Sequence, residues 1–279
     1  MRVPISTMSK NIYLLLIAFV FATAAKAQDD GVIILNGSYE GDYKNGKMDG
    51  YGKAILNDGS MYTGQWKNDM RNGLGRAGFR DGSAYYGDWK NDKMDGTGTY
   101  DFANGDKYTG TFVNSLMQGR GVYIYANGTK YMGDFVNDKM TGNGTIVYTS
   151  GDRYEGSVLN GVKAGKGKYY YRNGNIYEGY FIADKKEGFG TFTFSNGDVY
   201  KGEFKNNNRT GKGTLTLANG DKYEGEFLNG TMHGQGVYTW ADGEKYSGTW
   251  VNNQRNGEGM LVTKQGEQQV LTYANGERQ

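Results

Sequence analysis

A period of 23 residues runs through the chain and leaves few folds open to it. A tyrosine recurs at Tyr39, Tyr62, Tyr85, Tyr108, Tyr131, Tyr154, Tyr177, Tyr200, Tyr223 and Tyr246 without a slip. Residues 108–130, YTGTFVNSLMQGRGVYIYANGTK, show the unit: Tyr108, Gly110 and Phe112, then Gly119 and Gly121, then Tyr123 and Tyr125, then Asn127-Gly128. Self-similarity at a period of roughly 20 to 50 residues marks a repeat architecture, in which each unit packs mainly on its neighbours.

The spacing predicts two strands per unit. The first runs through Tyr-x-Gly-x-aromatic and the second through Gly-x-Gly-x-apolar-x-apolar, joined by a polar connection such as Lys67-Asn68-Asp69-Met70-Arg71-Asn72. Closing dipeptides such as Asp58-Gly59, Asn104-Gly105 and Asn196-Gly197 supply the positive-φ positions of a second, tight turn. Side chains alternate faces along a strand, so the tyrosine, glycine and aromatic of strand one share a face. Both glycines and both apolar residues of strand two share one as well. Large rings therefore lie beside bare backbone, and each ring covers glycines of a neighbouring strand. Forty-seven glycines beside one proline and 14% aromatic residues fit ordered backbone better than a flexible linker.

The opposite face is polar, with Glu40, Asp42, Gln65, Asp88, Thr111, Asp134, Glu203 and Glu226 on first strands and Lys53, Thr145, Lys168 and Thr214 on second strands. The expected fold is all-β: an extended, single-layer, twisted antiparallel β-meander of about ten consecutive β-hairpins. Val158, in an aromatic position, and Ala77-Gly78 mark units with weaker packing. Gln269 stands where an eleventh tyrosine would fall, so residues 269–279 read as a partial repeat that caps the end.

These residues carry a family resemblance. Tyr-x-Gly-x-Trp/Phe, Gly-x-Gly, an apolar pair and a closing glycine at period 23 are similar to the MORN repeat (membrane occupation and recognition nexus), over residues 39–268 in ten copies. The resemblance implies hairpins in an extended meander. Its name implies peripheral phospholipid binding. Plant MORN arrays precede a phosphoinositide kinase domain, but the residues here are spent on repeats and no kinase activity is inherited from that likeness.

Ahead of the repeats, Arg2 and Lys10, the apolar run from Ile12 to Ala25, and Ala25-Lys26-Ala27 form the pattern of a secretory signal. The run is shorter than the roughly 20 residues that span a bilayer. The reading is a signal peptide over 1–27, a capping strand over 28–38, and export to a periplasm, cell surface or medium with no integral membrane segment after cleavage. Without Arg2, Lys10 and Lys26, the 32 basic residues become 29 against 30 acidic, a net of −1. That charge gives no reason to expect a nucleic-acid partner.

A search for chemistry returns little. The chain has no cysteine and one histidine, His233, which falls in a polar connection. No phosphate-binding loop of the Gly-x-x-x-x-Gly-Lys type occurs. Asp106, Asp152, Asp198 and Asp221 follow turn glycines in only some repeats, which suits turn chemistry better than calcium binding. The expectation is no enzyme, no cofactor and no metal. Binding remains, and its candidate surface is the aromatic stripe Trp66, Trp89, Phe112, Phe135, Phe181, Phe204, Phe227 and Trp250. A second candidate is the set of connections, where Met48, Met94, Met117, Met140 and Met232 alternate with Arg71, Lys163, Lys186, Arg209 and Arg255. The leading function is an exported scaffold that binds a protein partner or itself, as a homodimer through terminal repeats. The alternatives are phospholipid binding and carbohydrate or cell-wall binding along the stripe.

Overall fold

The computed structural model describes residues 38–279. The signal segment at 1–27 and all but the last residue of the capping strand at 28–38 lie outside the described residues. Ser38 accepts a backbone hydrogen bond from Ile55 at 3.2 Å.

Among the described residues, twenty-two strands, numbered in chain order from β1 (Tyr39–Lys44) to β22 (Glu277–Arg278), make one open sheet. Each pairs antiparallel with its sequence neighbours alone, so the sheet is a pure meander. The hairpin of β7 (Lys107–Val113) and β8 (Leu116–Ile124) is representative. Seven residues face nine, and the difference is a bulge: Gly110 pairs with Gly121, then Thr111 with Gln118, leaving Gly119 and Arg120 unmatched. Between β8 and the next strand, β9 (Lys130–Val136), the register runs straight, with Gly119 opposite Phe135 and Gly121 opposite Gly133.

This bulge separates the two glycines that strand parity made equivalent. Gly121 is a receiving surface: Tyr108 lies across it and across Gly110. Gly119 instead holds φ at +64°, a conformation that L side chains rarely adopt, and no ring covers it. The paired glycines form a transverse row from Gly41 to Gly259, which Leu271 closes on β21 (Gln268–Ala274). The lead tyrosines lie on this row, fully buried from Tyr62 to Tyr246 and partly buried at Tyr39.

A bulge orphans ladder groups, and the repeat supplies partners for them. Each lead tyrosine from Tyr39 to Tyr223 donates its hydroxyl to the carbonyl three residues on, as Tyr108 does to Thr111 at 3.0 Å. The freed amide inside Gly-x-Gly donates to a side chain of strand one: Thr97 to Asp88 at 2.8 Å, Leu74 to Gln65 at 3.0 Å. Residues of the polar face therefore also finish the backbone. Ladder pairs do occur, such as Lys168 with Glu178 at 3.4 Å.

The connection inside each hairpin is shorter than the sequence reading allowed. It is a two-residue type I′ turn, with φ of 46–52° at the first position and 65–88° at the second. Met70, Arg71 and Asn72 belong to the following strand, as do Met48, Met117, Lys186 and Arg209. His233 lies in β18 (Thr231–Thr239), not in a connection, and its Nδ1 is buried without a partner. The other turn also differs from expectation. Of Asn104-Gly105 only Gly105 has positive φ, and the Asn104 side chain accepts from the amide of Asp106 at 3.0 Å.

Turns clasp neighbouring repeats. Met117 donates its amide to the Asp138 carboxylate at 2.8 Å, and Asp138 returns its own amide to the Met117 carbonyl at 3.1 Å. Asp106 bridges similarly, accepting from Ala126 N–H and the Tyr123 hydroxyl, each at 2.7 Å. Ten of the eleven type I′ turns open with asparagine, and Ala183 is the exception at φ 46°. A non-glycine residue in the left-handed region costs about 1–2 kcal/mol, less for asparagine. Ala183→Asn is therefore expected to stabilise the chain by about 1 kcal/mol in urea unfolding. A midpoint unchanged or lowered would contradict this account of the turn.

Candidate functional site

The face that carries the lead tyrosines is a groove, built in rows across the sheet. Its floor is two interlocked sets of rings. Tyr108 meets Phe112 of its own strand edge-on at 5.1 Å and Phe135 of the next repeat at 4.8 Å. The pattern recurs along the array, each pair adding about 0.5–1.5 kcal/mol beyond burial. At Val158 it breaks, because no ring stands between Tyr131 and Tyr154. Beyond the tenth repeat Tyr273 takes the ring position, 5.4 Å from Tyr246.

The eight rings singled out from sequence, Trp66, Trp89, Phe112, Phe135, Phe181, Phe204, Phe227 and Trp250, are 1–5% exposed. They are the floor itself. Three of the tryptophans also donate Nε1 to a glycine carbonyl of the preceding repeat, at 3.3 Å. Each such ring is covered by lead tyrosines from two repeats, which parity within one strand does not reveal.

What a ligand would meet is the pair of walls. One is the half-buried row Phe102, Tyr125, Tyr148, Tyr171, Phe194 and Trp240 at the ends of second strands. The other is the second residue of those strands: Met94, Met117, Met140, Lys163, Lys186, Arg209, Met232 and Arg255. Along the middle of the array the walls touch. Tyr125 reaches Met140 Sδ at 3.4 Å, Lys163 Nζ donates to the Tyr148 hydroxyl at 3.1 Å, and Lys186 Nζ to the Tyr171 hydroxyl at 3.1 Å. Farther on, Phe194, Leu217 and Trp240 replace the tyrosine and offer no hydroxyl to bridge. There the groove opens into two hollows. One, of about 150 Å³, lies between Phe194 and Arg209; the other, of about 570 Å³, lies among Met232, Tyr238, Trp240, Trp250 and Arg255.

The cations in the wall sit over rings. Arg71 Cζ is 4.2 Å from the Trp89 centroid and Lys186 Nζ is 5.1 Å from that of Phe192. Burial lowers the Lys163 pKa, yet the Tyr148 hydroxyl and Asp184 outweigh it and hold the ammonium above its ordinary value. Lys186 shifts the other way, lowered by burial and by the neighbouring Arg209.

The period, the bulge and the ring-on-glycine packing identify the repeat, and the MORN repeat family profile matches ten consecutive segments: 39–61, 62–84, 85–107, 108–130, 131–153, 154–176, 177–199, 200–222, 223–245 and 246–268. The chain is a MORN-repeat protein. No curated protein matches this MORN array. Solved structures with a similar strand arrangement include the TCP domain of Drosophila melanogaster SAS-4 (dCPAP) in complex with a proline-rich motif of Ana2, at 18% identity and TM-score 0.39, covering 56% of this chain and 85% of that one. The TCP10 domain of Danio rerio CPAP matches at 10% identity and TM-score 0.43, covering 79% and 99%. Virginiamycin B lyase from Staphylococcus aureus matches at 10% identity and TM-score 0.16, covering 85% and 89%. TM-scores below 0.5 at such identities say nothing about the function of this MORN protein.

Among the described residues no group of three or more His, Asp or Glu side chains is placed to hold a metal ion. Asp106, Asp152 and Asp221 each bond the next repeat's turn and a tyrosine hydroxyl. No described helix is long and apolar enough to cross a membrane.

Proposed function

We propose that this MORN array is an exported, non-enzymatic scaffold that holds a protein partner in the open part of its groove. One observation carries the reading: the groove is bridged shut where Tyr148 and Tyr171 reach across, and open where Phe194, Leu217 and Trp240 stand. Half-buried aromatic rings around a polar rim are the composition of a protein-recognition surface. The interlocked rings packed on the glycine row form the floor beneath them.

The test places a photo-crosslinking amino acid at position 194 or 240 of the full chain, with position 145 on the polar face as control. Adducts with a distinct protein from 194 and 240, and none from 145, support the reading. Adducts with lipid alone favour the membrane alternative. Adducts between copies, with a dimer in light scattering, favour self-association.

A further inference from the structure

We propose that Lys186 and Arg209 form an anion-recognition site where the bridged groove opens, and that its occupant is a carboxylate-bearing segment of a partner protein. This deepens the scaffold reading and rests on it.

The argument is a comparison of repeats within one chain. Five repeats place a cation at the second residue of strand two: Arg71, Lys163, Lys186, Arg209 and Arg255. For the first two, the next repeat's turn supplies the counter-charge. Arg71 Nε lies 3.1 Å from Asp92 Oδ1, and Lys163 Nζ lies 2.9 Å from Asp184 Oδ1. For Lys186 and Arg209 the same turn position holds Asn207 and Gly230. Among the described residues neither makes an ion pair. Asn207 Oδ1 still accepts the Lys186 amide at 2.9 Å, so the turn is kept and only the charge is missing. Arg209 donates Nη2 to the Gly230 carbonyl, and Phe194 opposite it has no hydroxyl to offer. Lys186 Nζ spends one donor on the Tyr171 hydroxyl at 3.1 Å. A guanidinium has five donors and an ammonium three, so most of this capacity is unspent.

The surroundings favour a carboxylate on a peptide over a phospholipid headgroup. Both cations lie against rings of the floor and walls: Lys186 over Phe192 and Phe204, Arg209 between Phe194 and Tyr200. Recessed cations suit a narrow side chain entering the groove rather than a flat membrane surface. Half-buried cations without a counter-charge are costly, and an arriving anion relieves that cost. The two cations are one repeat apart, two strands, so they match two carboxylates about 10 Å apart. The hollow between Phe194 and Arg209 accepts an apolar neighbour of the acid.

Random dodecapeptides displayed on phage are selected against the immobilised full chain, and enriched peptides are measured by fluorescence anisotropy. Two double variants are compared with the wild type: Lys186→Gln/Arg209→Gln, which removes the charge, and Asn207→Asp/Gly230→Asp, which supplies the counter-charge from within. Enriched peptides are expected to carry Asp or Glu beside an apolar residue and to bind both variants about tenfold or more weakly. The Asp variant is expected to melt no lower than the wild type. If Gly230→Asp disturbs its turn, Asn207→Asp alone decides. Enriched peptides that lack acids, or that bind the variants as well as the wild type, overturn the anion site and leave the scaffold reading standing. Failure to enrich any peptide counts against both. Phosphoinositide vesicles that bind through the same two cations, with no peptide binding, overturn the assignment to a protein partner.

Discussion

Gly121→Val is expected to abolish the cooperative unfolding transition of the central repeats, whereas Gly119→Ala, two residues away, costs only about 1–2 kcal/mol. A Cβ on Gly121 would stand 2.4 Å from Tyr108 Cε2 and 2.6 Å from its hydroxyl. The ring cannot step aside, because Phe112 and Phe135 hold its two flanks at 5.1 and 4.8 Å. Displacing it would also break the bond to Thr111 and uncover Gly110. Clashes of this kind fall in the exceptional class, above about 4–5 kcal/mol. In a linear array each repeat leans on its neighbours, so the damage spreads outward from one hairpin. At Gly119 the nearest atom to a new Cβ is Thr111 Cβ at 3.9 Å, and only the positive φ resists. Urea unfolding with hydrogen exchange along the chain separates the two variants. Equal losses, or a Gly121→Val protein that melts like the wild type, would contradict the ring-on-glycine structure.

Raising the pH above about 10, where a free tyrosine ionises, is expected to unfold the array and ionise its lead tyrosines in one step. Burial pushes Tyr108, Tyr131, Tyr200 and Tyr223 up to about 12. A pKa raised on folding means that the folded state prefers the neutral phenol. The contribution to stability is complete below the unfolded value and is lost as pH climbs from about 10 toward the folded value of about 12. One pKa unit is worth about 1.4 kcal/mol, and domains have only about 5–15 kcal/mol in hand. A few tyrosines acting together therefore suffice. Phenolate absorbance and far-ultraviolet circular dichroism, followed from pH 9 upward, should change together. Gradual phenolate formation with an intact β signal would show that these hydroxyls face water.

The open groove gives the functional reading its place in the chain. Tyr148, Tyr171 and the residues opposite them bridge the floor, and Phe194, Leu217 and Trp240 cannot; Arg209, opposite Phe194, has no acid in the next turn, and neither has Lys186, which ends the bridged stretch. The two departures meet at Phe194 and Arg209, beside Lys186, and a partner would be held there.

Period and parity were enough to set the number of hairpins, the meander, and the laying of Tyr108 and its equivalents over glycine, because each follows from local spacing along one or two strands. The two glycines of Gly119-x-Gly121 could not be told apart that way. A bulge is a property of the register between strands, and only pairing shows that Gly110 meets Gly121 while Gly119 is left over. The polar connection of six residues shrank to a two-residue turn for the same reason, which moved Met117, Lys186 and Arg209 from loop to groove wall. The aromatic stripe from Trp66 to Trp250 was legible as a row of rings, but its burial depends on tyrosines contributed by two different repeats. The sequence by itself determined the repeat, its faces and its extent. Only the tertiary structure decided which rings are floor and which are wall, because burial is set by what the neighbouring repeats place above each side chain.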